Sequence, residues 1–521
     1  MQPREHVASR VMVPIPRSRT PAATHDTLPL ERRRRDTGAM PDMPSRRPAR
    51  VSTQTRLTAV IVASALFMQN LDSTVIATAL PTMAHAFGYD PVRMNVALTS
   101  YLLSLTVFIP ASGWVADRFG TRTVFRAAIV VFTIGSIFCG LSDGLVELVA
   151  ARVLQGIGGA MMVPVGRLLL LRTATKTELV AAMAWLTVPA LLGPVVGPPV
   201  GGFIVTWFNW RWTFFINIPV GIIGLIAVTL FIKDFREPPK GAFDLRGLVL
   251  IGVALACATF GLETAGRGVV SPALTGAMIA AGIAVAFLYY RHARRHPAPL
   301  LDFTLMRQPT FGLSFAAMML FRIGIGAVPF LLPMMLQVGF GDSAAQSGLI
   351  TFASSAGALV MKPAAQHALR LFGFRNTLLW NGVLSGIMLT ACAAFRPTWP
   401  AAAIYATLLV GGFLRSLQFT AYNTLAYGDV KRAQMSAATS LYTAGQQFAG
   451  TIGVSVGALS LELARTLSGH GTPETADFGA AFVVVGLMTL AAAPIALFMP
   501  ATAGDELTGR QAVAAVPKAG E

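Results

Sequence analysis

The chain has 521 residues, 54% hydrophobic and 12% charged, with a formal net charge of +17. A soluble domain carries about 25% charged residues, so this share, with a mean hydropathy of +0.61, excludes a soluble globular, a disordered or a disulfide-stapled protein. Of the 41 Lys and Arg, 12 fall in residues 1–56 and most others in short gaps between apolar blocks; that suits loops facing anionic lipid, not a nucleic-acid-binding face.

Residues 1–56 are rich in Arg, Pro, Ser and Thr, include Arg32, Arg33, Arg34 and Arg35, and have no apolar core before Leu57. They are expected to form a disordered basic tail and not a signal peptide, with translation from Met40 or Met43 as the alternative reading. From Leu57 to Pro500 follow 14 apolar segments, at about 57–79, 95–115, 124–141, 146–170, 180–205, 213–232, 247–264, 272–290, 310–336, 345–365, 376–395, 400–422, 436–460 and 479–499. Each is long enough to cross roughly 30 Å of hydrocarbon as a helix. A lipid environment leaves unpaired backbone groups no partner, so the expected fold is an all-α polytopic membrane protein with 14 transmembrane helices.

The loops after odd-numbered segments carry only Arg93, Arg211, Arg267, Arg396 and Arg465, whereas the other loops are rich in Lys and Arg. By the positive-inside rule both termini are expected in the cytoplasm, across the cytoplasmic (inner) membrane. An internal repeat appears at an offset of 253 residues: Phe119-Gly120-Thr121-Arg122 falls on Phe372-Gly373-Phe374-Arg375, Gly158-Gly159 on Gly411-Gly412, and Gly197 on Gly450. This pairs segments 1–6 with 9–14 and predicts two pseudo-symmetric halves in a 6+2+6 arrangement, a transporter architecture. The expected divisions are a tail over 1–56, a six-helix bundle over 57–237, a two-helix insertion over 238–308, a second bundle over 309–500 and a tail over 501–521.

Four stretches carry candidate functional residues. In the first segment Gln69 and Asn70 precede Asp72, a carboxylate well inside the membrane. After the second segment comes Gly113-Trp114-Val115-Ala116-Asp117-Arg118-Phe119-Gly120-Thr121-Arg122. Here Gly113 allows helices to approach and Gly120 a tight reversal, while Asp117 can sit at a neighbouring helix N-terminus or pair with an Arg. The fourth segment carries Arg152 before Gly156, Gly158 and Gly159; a guanidinium in the membrane is a functional candidate, against the blander reading of a side chain reaching the interface. The fifth carries Gly193, Pro194, Gly197, Pro198, Gly201 and Gly202, which would kink the helix and flatten one face. Trp210 and Trp212 suit an interfacial belt.

The loop after the second segment resembles the Gly-x-x-x-Asp-Arg-x-Gly-x-Arg signature of the major facilitator superfamily, and the fifth segment its Gly-Pro-rich antiporter motif. With the Leu71-Asp72-Ser73-Thr74 stretch, Leu332-Pro333…Leu336-Gln337 and 14 segments, the chain over about 57–500 is similar to the EmrB/QacA-type drug:proton antiporters, nearest to their MdtD/HsrA-like branch. The resemblance implies a role for Arg152 in proton transfer; Asp72, the only carboxylate placed well inside a helix of the first half, is the expected coupling group from its own position.

No phosphate-binding loop, metal cluster, nucleophile–base pair or haem site appears, and Cys139, Cys257 and Cys392 stand at no metal-ligand spacing. The expected protein is therefore no enzyme and uses no cofactor or metal, only the proton gradient. The leading reading is a proton-coupled antiporter that exports amphipathic drugs or toxic compounds by alternating access. Gln69, Asn70, Arg322, Gln337, Arg415, Gln418 and Asn423 are candidates to line its cavity. The expected partners are small amphipathic molecules, protons and the lipid bilayer, with no nucleic acid, and no residue pattern identifies a periplasmic adaptor. Export of an endogenous metabolite and a non-transporting sensor of transporter descent stand as alternatives. Glu263 is the second candidate for coupling.

Overall fold

In a computed structural model, residues 51–88, 94, 96–238, 241–264, 271–342 and 344–508 are described, and among them every regular element is helical. The greater part of the tail expected over 1–56 lies outside these residues. The helices are α1 (Thr53–Phe87), α2 (Val96–Phe108), α3 (Thr121–Leu141), α4 (Leu145–Thr173), α5 (Leu179–Trp207), α6 (Asn217–Phe231), α7 (Leu245–Thr264) and α8 (Pro272–Ala293). They continue as α9 (Pro309–Gly326), α10 (Ala344–Asn376), α11 (Gly382–Ala391), α12 (Ala401–Leu425), α13 (Met435–Ser468), α14 (Thr475–Ala491) and a short α15 (Asp505–Thr508).

Twelve segments among the described residues are long and apolar enough to cross a membrane. One of them, Gln346–Ala394, runs for 49 residues and contains Gly373 at φ +74°, a left-handed conformation that only glycine adopts freely. Outside the twelve stands α5, a 29-residue helix. Apolar side chains cover outward faces: Ile223 and Leu230 of α6 and Ile283 of α8 are more than half exposed, as suits a surface wetted by lipid tails.

Local chemistry sets the helix ends. Ser52 caps α1, its hydroxyl accepting from the Thr55 amide at 3.2 Å. α1 therefore begins at Thr53, four residues before the expected boundary. Pro110 interrupts α2: a 3-10 turn at Ile109–Ala111 leads into a further helical piece, Ser112–Phe119, because proline offers no amide to the preceding turn. The expected tail after Pro500 is likewise folded at its start. α15 docks through Leu507, 2% exposed, and Glu506 pairs with Lys176.

Equivalent glycines in the repeat meet equivalent neighbours. A Cβ at Gly159 would press on Leu105 of α2, and one at Gly412 on Ser354 of α10; Gly158 faces Phe132 of α3, and Gly411 faces Met388 of α11. Gly197 abuts Thr74 of α1, and Gly450 abuts Arg322 of α9. Gly120, at φ +89°, turns the chain ahead of α3 as Gly373, at φ +74°, breaks α10 ahead of α11. Arg122 then donates to the Thr229 carbonyl near the end of α6, and Arg375 to the Leu497 carbonyl just beyond α14. Outside the repeat, α7 lies against α2 at Gly252 and Val107, and against α13, where Ser455 donates to the Leu262 carbonyl.

Candidate functional site

Asp72 and Arg152 meet inside the first bundle. Arg152 NH1 lies 2.7 Å from Asp72 Oδ2, with side-chain exposures of 0% and 1%. Gln155, one helical turn from Arg152 on α4, donates to Asp72 Oδ1 at 2.9 Å and accepts from Arg152 NH1 at 2.6 Å. Asn217, at the start of α6, donates to Asp72 Oδ1 at 2.8 Å and to the Ser136 hydroxyl of α3 at 2.9 Å. Arg152 Nε donates to the Ala97 carbonyl of α2, and its guanidinium lies 4.2 Å from the centre of the Tyr101 ring. Helices α1, α2, α3, α4 and α6 thus converge on one buried ion pair. Isolated, either charge would carry several kcal/mol of desolvation; together, and hydrogen-bonded, they offset it. Gln155, Asn217, Ser136 and Tyr101 were not singled out from sequence, because neutral polar residues in an apolar run have no distinctive spacing.

Gln69 is buried one turn away, its Oε1 without a partner among the described residues, close to Tyr101 across Gly159. Asn70 lies against Gly193 of α5. Gly193 and Gly197 both abut α1; Gly202 has open space where a Cβ would be, and Gly201 is buried. The side chains of Pro194, Pro198 and Glu263 lie outside the described residues. Trp210 is 5% exposed and edge-on to Phe87 and Phe214, whereas Trp212 is 54% exposed. Only Trp212 therefore fits the interfacial belt expected of both.

The Gly113–Arg122 stretch forms a contact between the bundles. Asp117 accepts from Arg172 NH2 at 3.0 Å and from the Ser436 hydroxyl, in the first turn of α13. Ser112 and Ser440 share a hydrogen bond at 2.9 Å. Gly113 sits where a Cβ would come within 2.8 Å of the Ser436 carbonyl. Arg118 is exposed. Arg122 N donates to Asp234, and Gly120 stands where a Cβ would lie 2.6 Å from that carboxylate. Arg167 of α4 adds donors to Tyr427 at 3.2 Å and to Gln446 at 3.3 Å. Ser52 N donates to Glu178, and Lys176 pairs with Glu506, so this contact closes the end of the bundles that carries both ends of the described chain.

The cavity candidates of the second half separate. Asn423 accepts from Gln446, which joins it to Arg167. Arg322 lies against Gly450 and over the Phe419 ring at 5.7 Å, with a buried Nε that has no partner among the described residues. Arg415 donates to the Ser354 hydroxyl and borders a void of about 10 Å³ with Cys392 and Phe482. Gln418 is fully engaged, donating to the Leu378 carbonyl and Tyr422 and accepting from Asn381. Gln337 is exposed in a π turn (Met335–Gly339) that follows a short helix, Val328–Met334, beyond α9, and is not brought together with the others. Two buried cations escaped the sequence reading: Arg167, 8% exposed, and Lys362, 5% exposed, whose Nζ donates to Thr420 at 3.0 Å. The expected absence of any metal-like grouping also needs amending. Asp244, His292 and His296 bring ligand atoms within 4.8 Å of one another beside α7 and α8, and Asp244 there accepts from the Gly247 amide and contacts His292 Nε2 at 2.8 Å.

A helical membrane protein with paired bundles, a buried carboxylate–guanidinium pair and this interbundle turn defines a class of transporter. The Major Facilitator Superfamily profile matches residues 62–316 and 313–518, and the chain belongs to that family. It is 39% identical over 402 residues to the putative multidrug resistance protein MdtD of Citrobacter koseri, covering 77% of this chain and 85% of the relative. The MdtD protein of Escherichia coli is 39% identical over 404 residues, with the same coverage. Among solved structures, the human organic anion transporter MFSD10 (TETRAN) superposes with a TM-score of 0.63 at 14% identity, over 85% of this chain and 100% of that one. The proton:xylose symporter XylE gives 0.61 at 17% identity, over 88% and 98%. At such identities the likeness is one of fold. The protein is a multi-pass membrane transporter of the multidrug-efflux type.

Proposed function

We propose that the protein is a proton-coupled antiporter that exports amphipathic compounds by alternating access, with Asp72 as the proton carrier. The observation that carries this reading is the Asp72–Arg152 ion pair at 2.7 Å, with Asp72 Oδ1 also held by Gln155 and Asn217. Protonating Asp72 removes the charge that holds Arg152, so proton uptake and helix rearrangement become one event. The release of that proton to the opposite side restores the pair. The available driving force is about 2.3 kcal/mol per charge for each 100 mV of membrane potential, plus the pH gradient.

The same reading has 14 crossings. A 49-residue stretch, at about 1.5 Å per residue, is more than twice as long as one crossing needs, and its break at Gly373 makes it two; α5 supplies one more. Six helices over 57–237 and six over 309–500 form the bundles, with 238–308 as an inserted pair, and both termini face the cytoplasm of an inner membrane. The glycine contacts repeated at 253 residues support the division. The contacts at Asp117 and Ser112 then belong to a cytoplasmic gate in its closed position.

Purified protein in liposomes with an imposed pH gradient tests the assignment. Asp72→Asn is expected to abolish gradient-driven accumulation of a fluorescent amphipathic compound and the proton release that accompanies it, while exchange without a gradient persists. Wild-type accumulation by that variant would overturn it.

A further inference from the structure

The first bundle supplies its own counter-charge to Arg152; the second does not. Arg322, Lys362 and Arg415 all lie in membrane-crossing helices of the second bundle, and none of them enters an ion pair among the described residues. The sequence explains why. Between Asp302 and Glu462 the only acidic residues are Asp342 and Asp429, which fall in the connections between α9 and α10 and between α12 and α13. The partners that the three cations do find are neutral: the Thr420 hydroxyl for Lys362, the Ser354 hydroxyl for Arg415 and the Phe419 ring for Arg322.

All three cations touch α12. Arg415 stands on α12; Arg322 reaches the same helix at Phe419, and Lys362 reaches it at Thr420. The three positions on α12 span about 7.5 Å of helix, from the rise of 1.5 Å per residue. Arg322 and Arg415 are half-buried and Lys362 is buried. Low-dielectric surroundings strengthen the attraction of each cation for any anion that enters. The buried Nε of Arg322 lacks an acceptor among the described residues, and a planar guanidinium matches a carboxylate, sulfonate or phosphate in bidentate geometry.

We propose that these cations, Arg322 first among them, bind the anionic group of the exported compound, so that the substrates are organic anions: an acidic head on an apolar body. The inference rests on the reading of the protein as an exporter and names its substrate class. The anion supplies in the second bundle the charge that Asp72 supplies in the first. Phe419 offers an apolar surface beside the guanidinium.

The test uses three probes of nearly equal shape: naphthalene-2-carboxylate, naphthalene-2-carboxamide and 2-naphthylmethylammonium. Their equilibrium binding to the purified full chain in a neutral detergent is measured without any gradient. The carboxylate is expected to bind at least ten-fold more tightly than the amide, and the ammonium most weakly. Arg322→Gln should bring carboxylate and amide within about two-fold of each other, and Arg322→Lys should keep most of the preference. Lys362→Gln, monitored for folding by gel filtration, should reduce the preference as well. Equal binding of the three, binding of none, a preference for the ammonium, or a carboxylate preference that survives Arg322→Gln would each overturn the proposal. Failure here leaves the Asp72 coupling test untouched, since that test reads proton movement and this one reads charge selectivity at equilibrium.

Discussion

Arg152 and Asp72 stand 80 residues apart in sequence and 2.7 Å apart in space, and neither side chain reaches solvent. Removing one partner of such a pair strands the other, which costs about 3–5 kcal/mol, whereas replacing both with apolar groups is close to neutral. Arg152→Met is therefore expected to lower the midpoint of thermal unfolding in detergent sharply. The double variant Asp72→Leu/Arg152→Met should recover most of that loss while remaining unable to accumulate substrate. If the double variant were as unstable as the single one, the pair would not be the source of the instability.

Asp117 joins the two bundles by accepting from both Arg172 and Ser436. An amide in its place keeps one acceptor oxygen and loses the charge that favours the first turn of α13. Asp117→Asn is expected to slow transport of every substrate by a similar factor, with equilibrium binding unchanged within about three-fold. Selective loss of binding for one compound would place Asp117 in the binding site instead of the gate.

Much of this arrangement is legible in the sequence. Asp72 and Arg152 stand out because an ion inside an apolar segment is conspicuous, and Gly120 because a short loop demands a reversal. The 253-residue offset links glycines that prove to face equivalent helices. Lys362 and Arg167 were harder to read: each lies near the inner end of its segment, where a basic residue looks like a loop charge. Gln155 and Asn217 are neutral, and their role appears only when α4 and α6 converge on Asp72. Gln418 shows the opposite error, since a polar group in a helix is as easily consumed by neighbouring carbonyls as offered to a cavity. The pairing of Asp244 with His292 spans 48 residues and two helices, and no local spacing announces it.

The connection between α13 and α14 is expected to respond to pH. His470 Nδ1 donates to Asp477 Oδ2 at 2.8 Å, and the ring approaches Glu474 at 3.6 Å. The hydrogen bond to Asp477 raises the His470 pKa above its ordinary value, and the two carboxylates reinforce the shift. A group whose folded pKa is raised contributes order that is fully present below its unfolded pKa, about 6.5, and is lost as pH rises through the folded value. Hydrogen exchange of residues 469–475 should therefore be slower at pH 5.5 than at pH 8.5, by more than the intrinsic pH effect on exchange chemistry. His470→Asn should remove the difference. A pH response that persists in the variant would have another source.

The Ser112–Ser440 contact permits a direct test of closure. Their hydroxyls are 2.9 Å apart and buried, one just after the turn that interrupts α2 and the other in the second turn of α13. Side chains this close bring their Cβ atoms near the separation of about 3.5–4.5 Å that a disulfide needs. Cys139, Cys257 and Cys392 are free thiols, so the experiment starts from a variant in which all three are replaced by alanine or serine. Introducing Ser112→Cys and Ser440→Cys in that background and oxidising should give an internal cross-link in high yield. If transport requires this end of the bundles to part, the cross-linked protein will carry nothing, and a reductant will restore the rate. The single variants serve as controls for the loss of the hydrogen bond itself, which is worth about 1 kcal/mol. Undiminished transport by fully cross-linked protein would show that the two serines stay together throughout the cycle, and the moving contact would then lie elsewhere.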